Sequence, residues 1–305
     1  MTNKIHTLAL CAALLACLAA SCEKPVIDEE KTPTEKPKAN EATITFNSTN
    51  VAQAEYDNET DTQQSRAVTP IREVCSRINV AIFDSGDATK VKTINQEKSD
   101  ASFGKITTNL AKGSYTIVII AHNGSGNATV STPEKVTFKD NKVSDTFYYY
   151  GDIDVDDNET YDITLKRAVA MVRLVVKDNT PKNIHSMKFY YTGGSSTLNP
   201  QTGYGCVNSK QTEIRTVPES AYTGESAYDI YTFPHESQKK LNIEISALES
   251  ATATNATYAR TISDVSVKRN CITRYTGYFY GEDPSTGRGI ELTTTDEWQY
   301  EDHEY

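Results

Sequence analysis

From residue 41 onward, hydrophobic residues recur mostly at every second position, in short runs that end at Gly, Asn, Asp or Pro. This alternation predicts half-buried β-strands, because successive side chains of a strand point to opposite faces of a sheet. No segment has the 3.6-residue period of an amphipathic helix, so the sequence predicts an all-β fold. The clearest predicted strands are residues 42–46, 77–83, 115–121, 135–138, 146–150, 161–165, 168–176, 187–191, 228–233, 241–247, 275–280 and 289–292.

A change of register in the middle of the chain predicts a boundary between two domains. Apolar side chains occupy odd-numbered positions in residues 161–165 and even-numbered positions in residues 168–176, which predicts a bend or bulge near residues 166–167. At 305 residues the chain has room for about two domains. We therefore predict two tandem β-sandwiches of similar length. Their predicted bounds are residues 41–165 and 166–305.

The first 22 residues have the features of a bacterial lipoprotein leader. A polar head with Lys4 precedes an unbroken apolar run, residues 8–20, which is shorter than the roughly 20 residues of a transmembrane helix. Small residues then precede Cys22, a pattern that resembles a lipobox. We predict that residues 1–21 are a signal peptide and that Cys22 is acylated. Processing at the competing Cys17 would shorten the hydrophobic core and leave an apolar tail outside the membrane.

Residues 22–40 are the predicted lipidated linker. They contain three prolines among Lys and Glu and have almost nothing to bury, so we expect an extended, flexible chain. Two or three acyl chains on Cys22 would anchor it durably, because each buried methylene contributes about 0.8 kcal/mol. The acidic run at residues 28–30 resembles the signal that directs lipoproteins to the outer face of the outer membrane. The alternative for this run is a solvated tether.

Charge and cysteine content restrict the partners and the means of stabilisation. The net charge of -10, without a local basic stripe, disfavours nucleic acid as a partner. Three of the six cysteines lie in the leader or end it. The other three are Cys75, Cys206 and Cys271, among which one intramolecular bridge at most can form. Hydrophobic cores must therefore hold the fold, and whether two of these cysteines pair stays open.

Residue types that serve in active sites are present without the spacing that such sites need. The histidines at positions 122, 185, 235 and 303 are scattered, and no Ser or Cys lies in a nucleophile motif. Residues 152–159 supply oxygen ligands but lack the glycine and the distant glutamate of a helix-loop-helix calcium site. We predict no enzyme activity, no cofactor and no metal site.

Several segments of the first predicted domain resemble a known family. Residues 77–84 (Arg-Ile-Asn-Val-Ala-Ile-Phe-Asp) and 113–123 (Gly-Ser-Tyr-Thr-Ile-Val-Ile-Ile-Ala-His-Asn) are similar to the FimB-type fimbrial anchor lipoproteins of Bacteroidales. Residues 147–151 resemble the aromatic Tyr-Gly turn of that family, and residues 165–170 resemble its Leu-x-Arg-x-x-Ala strand. The resemblance is strongest over residues 77–178.

The resemblance implies a structural subunit of surface fimbriae with two transthyretin-like β-sandwich domains. Members of the family are lipid-anchored bases of fimbriae, with the cell outer membrane as their location and cell adhesion as the role of the assembly. Their subunits assemble by strand exchange, in which a partner's strand fills a groove that lacks one strand. The implied partner is a fimbrial stalk subunit.

The same resemblance leaves two roles open. In polymerising subunits of such fimbriae a protease cuts after an arginine that follows the first strand, which opens the groove and removes the lipid. Arg66-Ala67 follows the predicted strand at residues 42–46 and is a candidate cut site, although an exposed loop arginine is the alternative. An uncut chain would be a fimbrial anchor, and a cut chain would be a stalk or tip subunit.

The C-terminal segment is a candidate donor strand for a neighbouring subunit. It alternates at Ile290 and Leu292 and then carries Trp298 and Tyr300 in an acidic tail. The alternative is the last strand of the second sandwich, followed by a solvated tail.

A different class of function, glycan binding by an outer-membrane lipoprotein, also needs consideration. Exposed tyrosines on β-sandwiches can stack on sugars, and residues 148–150 and 190–191 are the candidates. Alternating tyrosines on strands more often pack half-buried. A single tryptophan in the chain is also poor provision for carbohydrate platforms.

Overall fold

The computed structural model describes residues 40–52, 68–281 and 293–294. Regular structure in these residues consists almost entirely of strands, so the predicted all-β class is confirmed. The helical elements are α1 (Ile71–Val74) and two 3-10 turns (Lys139–Asn141 and Glu219–Tyr222). The strands are β1 (Glu41–Ala52), β2 (Val68–Pro70), β3 (Arg77–Asp84), β4 (Lys90–Glu97), β5 (Lys105–Ala111), β6 (Gly113–His122), β7 (Thr129–Thr132), β8 (Lys135–Thr137), β9 (Thr146–Val155), β10 (Glu159–Arg167), β11 (Ala170–Val176), β12 (Ser186–Thr192), β13 (Thr197–Asn199), β14 (Tyr204–Gly205), β15 (Lys210–Thr216), β16 (Ser226–Thr232), β17 (Leu241–Leu248), β18 (Tyr258–Val265), β19 (Ile272–Gly277) and β20 (Thr293–Thr294).

Strands β1 to β6, β9 and β10 enclose the first hydrophobic core. They follow the order β2-β1-β10-β9-β6-β3-β4, and β5 also pairs with β1. Strands β9 and β10 share only two pairs, Lys166 with Tyr148 and Arg167 with Phe147, which join the end of β10 to the start of β9. Ile44, Phe46 and Ile117 are among the fully buried residues of this core.

Strands β11 to β19, without β13 and β14, surround the second core. One sheet has the order β16-β11-β19-β20 and the other has the order β15-β12-β17-β18. Leu174, Phe189, Ile243 and Phe279 are buried between them. The alternating sequence of β12 and β17 explains this arrangement, because one face of each strand is apolar and meets the opposite sheet.

A third core joins the two parts of the chain. A small sheet of order β14-β13-β8-β7 combines strands from both parts, and Leu198 of β13 is paired with Val136 of β8. This sheet covers the outer face of β3 and β6, where Phe83 and Ile120 are buried together with Phe233. The cover explains why the sequences of β3 and β6 are almost continuously apolar, since both faces of each strand are buried.

The irregularity predicted near residues 166–167 lies where β10 ends. Strand β10 ends at Arg167, and β11 begins at Ala170 with new neighbours. We keep the division into residues 41–165 and 166–305 as a proposal. It is supported by the first and second cores, which draw on residues from opposite sides of this break.

One predicted strand extends three residues beyond the C-terminal end of the observed strand β19. Residues 275–280 were expected to be extended, but β19 ends at Gly277. The carboxylate of Asp178 accepts hydrogen bonds from the backbone N–H groups of the next turn, which removes them from the ladder. The predicted strand at residues 289–292 lies outside the described residues. Among the residues described, no helix is long and apolar enough to span a bilayer.

We expect His122, at the end of β6, to make the stability of the fold depend on pH. Its ring is fully buried, with Nε2 3.0 Å from Asn79 Oδ1, and Nδ1 accepts the Gly124 N–H at 2.9 Å. Burial lowers the pKa of His122 to about 4, because the buried ring resists charging. In the unfolded chain the ring takes up its proton near pH 6.5, so folding stability should fall as the pH falls from about 6.5 to 4, by up to about 3 kcal/mol. Chemical denaturation across this range measures the loss, and H122Q should flatten it. An equally steep loss in H122Q would contradict this assignment.

Candidate functional site: the first strand and its slot

Strand β1 lies inside a sheet, with neighbouring strands on both sides. Residues 53–67 connect its C-terminal end to β2. On one side it runs parallel to β10, from the Ile44–Glu159 pair to the Val51–Leu165 pair. On its other side it runs antiparallel to β5 over residues 41–47 and to β2 over residues 50–52. We call the space between β10 on one side and β5 and β2 on the other the β1 slot.

The inner face of β1 is apolar and fills the first core. Ala42, Ile44 and Phe46 occupy alternate positions and are almost completely buried. The Phe46 ring stacks on Tyr161 of β10, with 5.8 Å between the ring centroids. Without these side chains the slot would expose an apolar trough together with two unpaired backbone edges.

The outer face of β1 carries polar side chains that bond to β5. Thr43 Oγ1 donates to Asn109 Oδ1 at 3.0 Å. The hydroxyls of Thr45 and Thr107 lie 3.2 Å apart, within hydrogen-bonding distance. Cross-strand pairs of this kind fix register and add a few tenths of a kcal/mol each, up to about 1.

The same face also bonds to β10 and to the turn before it. Asn47 Nδ2 donates to Asp162 Oδ1 at 2.9 Å. The backbone N–H of Thr43 donates to Asn158 Oδ1 at 2.7 Å. Side chains therefore brace β1 against both neighbours, in addition to the backbone ladders.

A bulge in β1 is held by the loop between β4 and β5. The register shifts after Asn47, and the backbone N–H and hydroxyl of Ser48 both donate to the carbonyl of Gly104, at 2.8 and 3.1 Å. Gly104 has a φ of +95°, and a Cβ there would lie 3.2 Å from Ile71 Cγ2. Gln96 fixes this loop by accepting the Gly104 N–H at 3.0 Å. Sequence patterns did not single out these residues.

The candidate cut site, Arg66-Ala67, lies outside the described residues, immediately before β2. Ala52, at the end of β1, is paired with Val68, at the start of β2, so residues 53–67 connect two paired strands. A cut after Arg66 would leave β1 attached to the rest of the protein by non-covalent contacts alone. Such a strand can be exchanged for another.

The structure gives the C-terminal segment a fixed starting point. Asp178 Oδ1 accepts the N–H of Phe279 at 2.8 Å, and Oδ2 accepts the N–H groups of Tyr280 and Gly281 at 2.7 and 2.8 Å. The ring of Phe279 is fully buried in the second core. Further along, β20 pairs with β19. The predicted donor residues Ile290, Leu292, Trp298 and Tyr300 lie outside the described residues, as do Cys22 and the predicted signal peptide.

Asp178→Ala should loosen the turn at residues 279–281. Three backbone donors would lose a charged acceptor, which should lower the free energy of unfolding by about 2 kcal/mol. Asp178→Asn keeps one acceptor oxygen and should have a smaller effect. Hydrogen exchange of the three amides measures the change, and unaltered protection in Asp178→Ala would contradict the role of the carboxylate.

Two of the five tyrosines considered for sugar stacking are buried in the fold. Tyr191 is fully buried and donates its hydroxyl to the carbonyl of Tyr231 at 2.9 Å. Tyr148 is buried too, and its hydroxyl lies 3.1 Å from Arg269 Nη1. The remaining three candidates are half-buried: Tyr149, Tyr150 and Tyr190. Buried rings cannot present a face to a sugar.

The other sites considered from sequence have structural explanations. Cys75, Cys206 and Cys271 form no disulfide with one another. In the acidic stretch, Asp152 accepts a hydrogen bond from Thr116, and Asp154 likewise accepts one from Ser114. In the part of the chain that is described, no group of three or more His, Cys, Asp and Glu side chains is arranged to hold a metal ion.

Comparison with solved structures gives similarities at low sequence identity. The fimbrial anchor protein Mfa2 from Porphyromonas gingivalis has a TM-score of 0.43 and 12% identity, covering 78% of this chain and 91% of that chain. A candidate cell adhesion protein from Bacteroides eggerthii has a TM-score of 0.47 and 15% identity, covering 86% and 93%. A candidate adhesin from Bacteroides ovatus has a TM-score of 0.47 and 11% identity, covering 76% and 87%.

Comparison with curated proteins gives no match. The family model described as fimbrillin-A associated anchor proteins Mfa1 and Mfa2 matches residues 69–304, which is most of the chain. This match includes every described strand after β2, and it supports the role of a fimbrial subunit. The chain belongs to the family of the fimbrillin-A associated anchor proteins.

Proposed function

We propose that this protein is the lipid-anchored base of a fimbrium, which keeps β1 in its own slot and joins a stalk subunit by strand exchange. The observation that carries the proposal is the position of β1. It is paired on both sides and buries its apolar face, so the slot has no room for a partner's strand while β1 stays. A subunit with a filled slot can donate a strand but cannot accept one.

A subunit that only donates must end the assembly. The donor in this proposal is the C-terminal segment that begins after Gly281, with Ile290, Leu292, Trp298 and Tyr300 as its apolar residues. To donate it, the protein must give up the two residue pairs between β20 and β19. The stalk subunit supplies the open groove, in the manner of β-strand addition. Acylated Cys22 places this end of the assembly at the outer membrane, since two or three acyl chains hold a protein durably there.

The alternative within the same family is a stalk or tip subunit that has been cut after Arg66. Cutting would release β1 and the lipid together and open the slot to a partner. The two roles therefore make opposite demands on Arg66: an anchor needs it intact, whereas a polymerising subunit needs it cut.

Fatty-acid labelling followed by purification from membranes tests the proposal. We expect label on the wild-type protein, loss of label in Cys22→Ser, and co-purification of a stalk subunit with the labelled chain. Arg66→Ala should change neither label nor co-purification. If Arg66→Ala instead blocks incorporation into fimbriae, the protein is a cut stalk or tip subunit.

Deleting residues 296–305 tests the donor segment separately. The proposal predicts that the shortened protein still carries lipid but no longer retains the stalk subunit. Attached fimbriae in this variant would contradict the donor role of the tail.

A further inference from the structure

In each part of the chain, the first strand lies beside a late strand and runs parallel to it. In the N-terminal part, β1 and β10 form such a pair. In the C-terminal part, β11 and β19 form the second, with six consecutive residue pairs from Met171–Ile272 to Val176–Gly277. Other strand pairs in these sheets are antiparallel, which is the commoner kind of pair in proteins.

This arrangement sets how each part responds to tension along the chain. The chain enters the N-terminal part at Glu41 and leaves it at Arg167. Because β1 and β10 are parallel, these two points lie at opposite ends of the pair. Pulling them apart makes the strands slide lengthwise past each other, so all the hydrogen bonds between them are loaded together. Pulling both strands from the same end would break the bonds one at a time.

The C-terminal part has the same geometry. Its chain enters β11 at Ala170 and leaves β19 at Gly277, again at opposite ends of a parallel pair. The later strand β20 adds two antiparallel residue pairs on the other side of β19. The pair is closed at one end by the N–H of Met171, which donates to the carbonyl of Cys271 at 3.1 Å. At the other end the N–H of Lys177 donates to the carbonyl of Gly277 at 2.8 Å.

We propose that the two parallel pairs are mechanical clamps in series, which let the protein carry tension between the membrane tether and the fimbria. This function rests on the proposed role as an anchor, because an anchor is pulled through residue 40 from the membrane side. Each clamp resists by shear.

The short link between the two clamps is fixed to both parts. Within it, the N–H of Ala168 donates to the carbonyl of Thr146 at 2.9 Å, and the carbonyl of Val169 accepts the N–H of Asn270 at 2.8 Å. Arg167 spans the link, bonding to Asp145 on one side and to Asn270 on the other. Tension is therefore passed from one clamp to the next without a slack segment.

Single-molecule pulling of the full chain in two directions tests the first clamp. Handles are attached through azide-bearing residues that replace Asn40 and either Lys166 or Asp157, since Lys166 and Asp157 are exposed. Handles at 40 and 166 shear β1 against β10, whereas handles at 40 and 157 unzip the same pair. We expect a severalfold higher rupture force in the first direction. Equal forces in both directions would overturn the proposal.

A nicked protein separates the pairing of β1 from its covalent link. A protease site placed within residues 57–63 is cleaved before pulling through 40 and 166. We expect β1 to leave the nicked protein at the same force as it leaves the intact chain. In the intact chain, unfolding of the N-terminal part then lengthens the molecule by about 400 Å, at roughly 3.3–3.6 Å per residue. The nicked protein should show no such gain in length. A much lower force after nicking would show that the pairing is not the clamp.

These measurements are made on the purified protein, so their outcome does not depend on lipid or partner. If the wild-type protein carries no fatty-acid label, the anchor role is wrong, but the shear result still stands. Equal rupture forces in the two directions would remove the clamp and leave the anchor role intact.

Discussion

Phe46→Ala should lower the free energy of unfolding by about 3–5 kcal/mol, the range for removing a fully buried aromatic side chain. The Phe46 ring has no exposed surface, and it stacks on Tyr161 across the pair of strands that carries β1. The loss should appear as a lower midpoint of urea denaturation with an unchanged slope. Amide protons of β1 should also exchange faster than those of β17, which belongs to the other core.

Thr45→Ala is the matched control, because Thr45 is the neighbour of Phe46 on the outer face of the same strand. It loses one hydroxyl pair with Thr107, so its effect should stay below about 1 kcal/mol. If Phe46→Ala costs no more than Thr45→Ala, β1 is not held by its buried face. The β1 slot would then not depend on these apolar contacts.

Arg167→Met should destabilise the protein by about 3 kcal/mol, because it leaves the carboxylate of Asp145 without its partner. The side chain of Arg167 is 4% exposed. Its Nε and Nη2 donate to the two carboxylate oxygens of Asp145 at 2.8 and 3.0 Å, and its Nη1 donates to Asn270 at 3.1 Å. Its guanidinium also lies over the ring of Phe147, 4.7 Å from the centroid.

The double variant Arg167→Met with Asp145→Leu distinguishes lost packing from an uncompensated charge. Removing both charged groups should restore most of the stability, since an apolar pair can replace a buried ion pair at little cost. Chemical denaturation of the two single variants and the double variant gives the coupling free energy. A double variant as unstable as Arg167→Met alone would place the effect in the bond to Asn270 instead.

The part of the fold that could be predicted from sequence is the part with apolar alternation. Strands β1, β12 and β17 each bury one face, so their period of two is visible in the sequence. The continuous apolar runs of β3 and β6 also predicted strands. That both of their faces are buried depends on β8 and β13, which come from distant parts of the chain.

Strands with two exposed faces could not be predicted in this way. Seven of the eight residues of β4 are exposed or half-buried, because β4 is the edge of its sheet and packs little against the core. Polar edge strands of this kind discourage association with other sheets, and they leave no periodic hydrophobic signal.

The candidate site was predictable only in outline. The alternation of residues 42–46 indicated a first strand, but its parallel pairing with β10 is a long-range contact that no local pattern reports. The same holds for Gly104 and Gln96, which hold the bulge of β1, and for Asp178, whose three bonds fix the start of the C-terminal segment. Each of these roles depends on backbone groups that tertiary structure brings within reach.

The most direct test of the anchor role is the mass of the N-terminal peptide of the mature protein, isolated from outer membranes by proteolysis and mass spectrometry. For an anchor, we expect a peptide that begins at Cys22, carries two or three acyl chains and is continuous with residues 41–52. A mature chain that begins at Ala67 and carries no lipid would contradict the anchor role, because that protein would have lost β1 and its β1 slot would be open.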